Sequence, residues 1–93
     1  MIVNVEYVAQ MRSVAGKGSE AVELPDQTSI GDLLAKLAVD NGESFGALLF
    51  EQPGRLRSST LVFVGDDQIE SDDVSRPLSD GQKVTILAPL AGG

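Results

Sequence analysis

The amino-acid sequence predicts an α+β fold in which one main helix packs across a mixed β-sheet. Three observations lead to this prediction. Strand-like segments lie near both ends of the chain, an apolar stripe at helical spacing lies between them, and no second long amphipathic segment follows. With 93 residues, the chain is long enough for one domain with a single modest core.

The first elements are two predicted strands. Residues 2–8 alternate between apolar and polar side chains, which is typical of a half-buried strand. Residues 16–19 form a glycine-rich turn, and the alternation resumes over residues 20–24. These segments predict an opening hairpin with a loose connection.

The main helix follows the second strand. Either Thr28 or Ser29 can cap its first turn, and Asp32 lies three residues after Ser29 as a partner in a capping box. Asn41-Gly42 ends it, because both residue types tolerate the left-handed conformation of a helix terminus. One apolar stripe faces the sheet and consists of Ile30, Leu33, Leu34, Leu37 and Ala38.

The second half of the chain contains shorter elements. Residues 45–50 predict either a turn of helix or an irregular packed segment, and residues 52–55 predict a surface loop. Residues 61–64 are rich in strand formers, and Ile69 begins a second short apolar stretch. Residues 83–87 form the last predicted strand.

The order of these elements predicts the topology. A common arrangement places the last strand beside the first, in the middle of a mixed sheet, which is the β-grasp fold. A ferredoxin-like fold of the same size needs a second long helix, and the sequence after Asn41 does not supply one. We therefore predict a β-grasp domain over residues 1–87 and a flexible tail over residues 88–93 that ends in Gly-Gly.

The composition argues against several classes of function. The chain has no cysteine and no histidine, which removes thiolate nucleophiles, imidazole bases and the usual zinc ligands. Its formal charge of −7 disfavours nucleic acid and anionic membranes as partners. Adjacent acids such as Asp66-Asp67 are typical of solvated turns, so we expect no metal site. We also expect no bound cofactor. The first residues lack the pattern of a secretory signal, so we expect a cytoplasmic protein.

The most informative segment is the tail, which carries no charged residue and ends in two glycines. A carboxylate at Gly93 is a poor electrophile until a partner enzyme activates it with ATP. A sulfur donor can then convert the acyl-adenylate into a thiocarboxylate. Glycines pass through a narrow channel because they have no Cβ, and Pro89 stiffens the base of the arm. Leu87 and Leu90 are either apolar anchors for a partner or part of the core, and an ordinary frayed terminus is the alternative reading of the tail.

The whole chain resembles the ubiquitin-like sulfur-carrier family that includes the small subunit of molybdopterin synthase and the thiamine-pathway carrier. The resemblance is most specific over the last seventeen residues. It is carried by residues 5–12 with Gly16, by residues 22–25, 28–34, 77–81 and 84–87, and by the Gly92-Gly93 end.

The resemblance also implies roles for individual residues. Gly93 is expected to become the adenylate and then the thiocarboxylate. The residues expected to thread into the enzyme are Leu90, Ala91 and Gly92. An apolar patch for partner binding is expected at Val8 and Leu87, with Pro89 beside it.

The implied partners are an E1-like adenylating enzyme, which uses ATP, and a sulfur-accepting enzyme. The leading expectation for the acceptor is the large subunit of molybdopterin synthase, and carriers for cysteine or thiamine biosynthesis are alternatives. A protein modifier that forms isopeptide bonds shares the chemistry up to adenylation. A plain binding module is a third class. An enzyme in its own right is the least favoured reading.

Overall fold

The computed structural model describes residues 1–89 of the chain. It contains three α-helices and seven strands within this range. The helices are α1 (Gln10–Ala15), α2 (Ile30–Asn41) and α3 (Glu43–Leu49). The strands are β1 (Ile2–Ala9), β2 (Ser19–Glu23), β3 (Phe50–Gln52), β4 (Arg55–Leu56), β5 (Leu61–Val64), β6 (Asp67–Ile69) and β7 (Lys83–Ala88).

The main sheet has the strand order β2-β1-β7-β5-β6, and β3 pairs with β4 in a separate hairpin. Strand β7 runs parallel to β1, with Val5 opposite Val84, and all the other strand pairs are antiparallel. The last strand therefore lies beside the first in the middle of a mixed sheet, and the predicted β-grasp topology is confirmed.

Helix α2 has the predicted position and caps. The Ser29 hydroxyl accepts a hydrogen bond from the Asp32 N–H at 3.1 Å, so Ser29 is the N-cap. At the other end, the Gly42 N–H donates to the Ala38 carbonyl at 3.1 Å. Ala38 lies half-buried at the edge of the predicted stripe. The other four residues of the stripe are buried: Ile30, Leu33, Leu34 and Leu37. The stripe covers the sheet because burying these side chains removes a large apolar area from water.

The prediction of a loose connection after β1 is wrong, because helix α1 (Gln10–Ala15) forms the first part of this connection. Ala9 turns the chain sharply with φ 58° and ψ −124°, and Gly16 ends the helix in the left-handed conformation. Met11 is fully buried and anchors this short helix to the core. One buried residue in a six-residue helix is too weak a pattern for sequence periodicity to detect.

The second half of the chain follows the prediction only in part. Of the two alternatives for residues 45–50, the helical one is correct, because α3 covers most of this segment. The predicted surface loop at residues 52–55 is exposed as expected, but it is shorter than predicted, since only residues 53–54 form the turn that joins β3 to β4. Ile69 ends β6 rather than starting an apolar stretch, and β7 continues through Ala88, one residue beyond the predicted strand.

Ala9 has a backbone conformation that L-residues with a Cβ rarely adopt, which costs about 1–3 kcal/mol. We expect Ala9→Gly to raise the free energy of unfolding by about 1 kcal/mol, because glycine adopts positive φ without a steric penalty. Ala21→Gly in strand β2 is the control and should lower stability. Urea unfolding of the three proteins measures both effects. Loss of stability in both variants would show that Ala9 is unstrained.

A polar contact links the core to the surface at Tyr7. The Tyr7 hydroxyl donates to the Glu20 carboxylate at 2.5 Å, and its ring meets Phe45 edge-on with the centroids 5.6 Å apart. Burial raises the pKa of Tyr7, and the neighbouring Glu20 carboxylate raises this pKa further. The neutral phenol is therefore the form that the fold stabilises.

This raised pKa predicts a loss of stability at alkaline pH. The unfolded chain releases the Tyr7 proton near a pKa of about 10, whereas the folded chain retains it, so stability should fall as the pH rises above about 10. Tyr7→Phe should remove this contribution to the decline. Urea unfolding at about pH 8 and about pH 11 measures the difference. Tyr7 is the only tyrosine, so phenolate absorbance reports its titration directly. Ionisation in the folded state at the ordinary pKa would contradict the prediction.

Within residues 1–89, no helix is long and apolar enough to cross a membrane. The same part of the chain holds no group of three or more acidic side chains placed to bind a metal ion.

Candidate docking site at the end of the central strands

One face of the main sheet carries a cluster of half-buried apolar side chains, here called the outer patch. It consists of Val8, Leu61, Phe63 and Leu87. Leu87 on β7 lies opposite Val8 on β1 and opposite Leu61 on β5, so the patch crosses the three central strands. These residues alternate with buried ones along each strand and therefore face away from the helix-covered core.

The structure thus brings together two of the residues that the sequence places at a partner-binding surface. Val8 and Leu87 are neighbours on adjacent strands. Leu87 is half-buried on the outer face, so it does not belong to the main core. Leu61 and Phe63 also belong to this surface, although the sequence does not predict them there. Their alternation with Val62 and Val64 is visible in the sequence, but only the pairing of β5 with β7 shows that they join the same patch.

A surface ion pair borders the outer patch. The Lys83 ammonium lies 2.8 Å from the Glu6 carboxylate, and both side chains are largely exposed. Exposed pairs of this kind contribute little to stability. They do give the border of an apolar patch a polar rim, which is the usual arrangement at protein interfaces.

The point where the chain leaves the sheet lies next to the outer patch. Ala88, the last residue of β7, is opposite Ala9 and only 2% exposed, so the strand includes the first residue of the predicted tail. Pro89 is exposed. The residues expected to thread into an enzyme or to react there lie outside the described range, and their roles stay predictions: Leu90, Ala91, Gly92 and Gly93.

A cleft of about 700 Å³ opens at the same point and is here called the exit cleft. Helices α1 and α3, the loop of residues 57–60 and the end of β7 form its walls. The lining residues that matter below are Val14, Ala47, Leu48, Arg57, Thr60 and Pro89. This cleft cannot be predicted from the sequence, because four separate segments have to come together to form it.

The loop of residues 57–60 is fixed to the C-terminal end of α3. The last carbonyl groups of a helix have no partner within it. Here the Thr60 hydroxyl donates to the Leu48 carbonyl at 2.6 Å, and the Arg57 backbone N–H donates to the Leu49 carbonyl at 3.0 Å. The Arg57 Nε–H donates to the Ala47 carbonyl. This wall of the exit cleft is therefore held by several hydrogen bonds.

Comparison with known proteins finds that the model of the ThiS family matches residues 5–93. A relative from Haloferax volcanii, "Small archaeal modifier protein 3", is 27% identical, and the match covers all of both chains. Another from Chlamydomonas reinhardtii, "Molybdopterin synthase sulfur carrier subunit", is 29% identical, again over the full length of both chains.

Solved structures show the same fold. The crystal structure of SAMP1 from Haloferax volcanii superposes with a TM-score of 0.81 over all of both chains, at 17% identity. A complex of subunits 1 and 2 of the molybdopterin-converting factor from Helicobacter pylori contains a chain that matches with a TM-score of 0.63 at 18% identity, over the full length of both chains. In that complex, a protein of this fold assembles with a partner subunit.

Proposed function

Since this chain belongs to the ThiS family of ubiquitin-like sulfur carriers, we propose that it carries sulfur as a thiocarboxylate on Gly93. The family match extends to that residue. The observation that carries the proposal is the register of β1 and β7, which sets the outer patch beside the point where the chain continues toward Gly93. A partner that binds the patch is thereby positioned to receive the terminus.

The proposed chemistry has two steps, both on the partner enzyme. A carboxylate oxygen of Gly93 attacks the α-phosphorus of ATP, which forms an acyl-adenylate and releases pyrophosphate. Hydrosulfide, or a persulfide acting with a reductant, then attacks the acyl carbon, the acyl carbon–oxygen bond breaks, and AMP leaves with the oxygen that had attacked phosphorus. The product is a thiocarboxylate, whose sulfur is the nucleophile for a later transfer.

The described residues supply recognition rather than chemistry. The outer patch offers apolar side chains that a partner can cover, which is the main source of binding energy in an interface. The five residues from Pro89 to Gly93 span roughly 16 Å when fully extended, at about 3.3 Å each. That length is enough to cross the outer shell of a partner protein and reach a buried ATP site.

We propose that the sulfur serves molybdopterin synthesis, with the large synthase subunit as acceptor. The support is the Chlamydomonas relative, which carries the name of the corresponding sulfur-carrier subunit and matches along its whole length. Carriers for cysteine or thiamine biosynthesis share the same terminus chemistry and remain the alternative pathways. Because adenylation consumes ATP, we place the reaction in the cytoplasm.

A second candidate function is protein modification, which the match to small archaeal modifier protein 3 favours. In that case a lysine amine of another protein, rather than sulfur, attacks the acyl group. The two functions share the adenylate and differ only in the attacking atom.

Intact mass distinguishes the candidates. The chain is incubated with an adenylating enzyme, ATP and sodium hydrosulfide, with and without added acceptor proteins. A sulfur carrier gains about 16 Da as sulfur replaces oxygen, whereas a modifier appears in covalent adducts with other proteins. If neither product forms although the enzyme adenylates a known carrier, the proposed function is wrong.

A further inference from the structure

We propose that the exit cleft is a second docking point for the adenylating enzyme, and that it takes an apolar side chain followed by a carboxylate that pairs with Arg57. This inference rests on the proposed function, because it concerns the enzyme that receives the terminus. It adds a recognition site to the outer patch and specifies the chemistry of the partner segment.

The charge at the cleft is unusual for this protein. The chain carries a formal charge of −7, yet Arg57 is the only charged residue among the described residues that line the cleft. Arg57 also forms no salt bridge within residues 1–89, whereas Arg55, two positions earlier, pairs with Glu51 at 2.7 Å. The cleft therefore offers one positive charge that an acidic group of a partner can neutralise.

The guanidinium of Arg57 is held in place before any partner arrives. The guanidinium Nε–H donates to the Ala47 carbonyl, and the backbone N–H of Arg57 anchors the start of the side chain by donating to the Leu49 carbonyl. The terminal nitrogens keep the planar fork that matches the two oxygens of a carboxylate. Because the side chain is already ordered, pairing with a carboxylate costs less conformational entropy than it would for a free surface arginine.

The remaining lining explains why the partner segment is expected to be apolar as well as acidic. Val14, Ala47, Leu48 and Pro89 contribute apolar surface from three different segments. An apolar side chain that enters between them is removed from water, which stabilises the complex in proportion to the area buried. A carboxylate alone leaves this surface exposed.

The exit cleft and the outer patch lie on opposite faces of the sheet, at the same end of β7. Thr60 in the cleft is followed directly by Leu61 of the patch, and Leu87 of the patch is followed directly by Ala88 of the cleft. Because successive residues of a strand face opposite sides, the two surfaces flank the end of β7 from both sides. We expect an enzyme that encloses this end of the chain to contact both surfaces, and activation precedes every later reaction in either candidate function.

Arg57 also has a structural role, because a cation at the end of α3 is favourable for the helix. The test must separate docking from this role. Arg57→Lys keeps the positive charge at the helix end but loses the planar fork, and Arg57→Gln loses both the charge and the fork. Arg55→Gln removes an equal charge two residues away, outside the cleft, and is the matched control. Thermal unfolding of each variant reports the structural contribution separately.

The measurement is the initial rate of pyrophosphate release by the adenylating enzyme against the concentration of the carrier. We expect Arg57→Gln to raise KM about tenfold with kcat unchanged, and Arg57→Lys to raise it less, since the interaction acts only in docking. The KM of the wild type should rise more steeply with salt than that of Arg57→Gln.

Equal KM values for Arg57→Gln and Arg55→Gln would overturn the inference while leaving the proposed function intact. A fall in kcat with KM unchanged would also overturn it. If the wild-type chain supports no pyrophosphate release, the proposed function and this inference both fail.

Discussion

Gly93→Ala is expected to abolish sulfur loading and to leave the fold unchanged. The proposed channel around the terminus admits residues without a Cβ, and an added methyl group clashes with its walls or displaces the carboxylate from the α-phosphorus of ATP. A displacement of about 1 Å at a reacting atom can lower the rate roughly a hundredfold. The measurement is the rate of thiocarboxylate formation by intact mass, at a saturating concentration of adenylating enzyme.

Gly46→Ala is the matched control for this substitution. A Cβ at Gly46 lies 3.6 Å from the Ala38 Cβ, which is an ordinary contact. Alanine is also favoured over glycine inside a helix by about 1 kcal/mol. This variant should load sulfur at the wild-type rate and unfold at an equal or higher temperature. Normal thiocarboxylate formation by Gly93→Ala would contradict the proposed threading of the terminus.

Val8→Lys is expected to weaken binding to the adenylating enzyme about thirtyfold, which corresponds to about 2 kcal/mol for an apolar anchor at the centre of an interface. The substitution places a charge on the β1 side of the outer patch, next to Leu87. In the complex, this charge loses its water without gaining a partner. Isothermal titration of the enzyme with each variant measures the dissociation constant.

Val39→Lys makes the same substitution on the surface of α2. Val39 is 82% exposed and lies outside both the outer patch and the exit cleft. The affinity of the Val39→Lys variant for the enzyme should remain close to that of the wild type. If Val39→Lys weakens binding as strongly as Val8→Lys, the added charge acts through the overall field of the protein, and the outer patch is not the docking surface.

Sequence reasoning succeeded where the information is local. Helix α2 is predicted with its N-cap at Ser29 and its end at Asn41-Gly42, because the apolar stripe and both caps lie within one continuous segment. The central position of β7 is also predicted. Only the order of the elements is needed for that step, since few topologies bury the apolar face of one helix against one face of a mixed sheet.

Two elements could not be predicted because their local sequence patterns are weak. Helix α1 follows a strained residue, Ala9, at a position where sequence preference favours glycine. It is held mainly by the burial of Met11 against other segments. The β3–β4 hairpin contains few residues, so no periodic pattern marks it. Tertiary contacts therefore decide α1, whereas the hairpin is too short for a pattern to show in the sequence.

The candidate site divides in the same way. Val8 and Leu87 were identified through the resemblance to sulfur carriers, and the register of β1 and β7 places them side by side. Leu61 joins them only through the antiparallel pairing of β5 with β7. Arg57 reaches the exit cleft because its loop caps α3, a contact that no spacing in the sequence indicates.

The central claim is that the carboxylate of Gly93 itself attacks ATP, and isotopic labelling tests this step most directly. A semisynthetic chain with oxygen-18 at both carboxylate oxygens of Gly93 is incubated with adenylating enzyme, ATP and hydrosulfide. The AMP released with each thiocarboxylate should contain a single heavy oxygen, because the acyl carbon–oxygen bond breaks when sulfur attacks. AMP without the label, formed while the chain gains sulfur, would contradict the account.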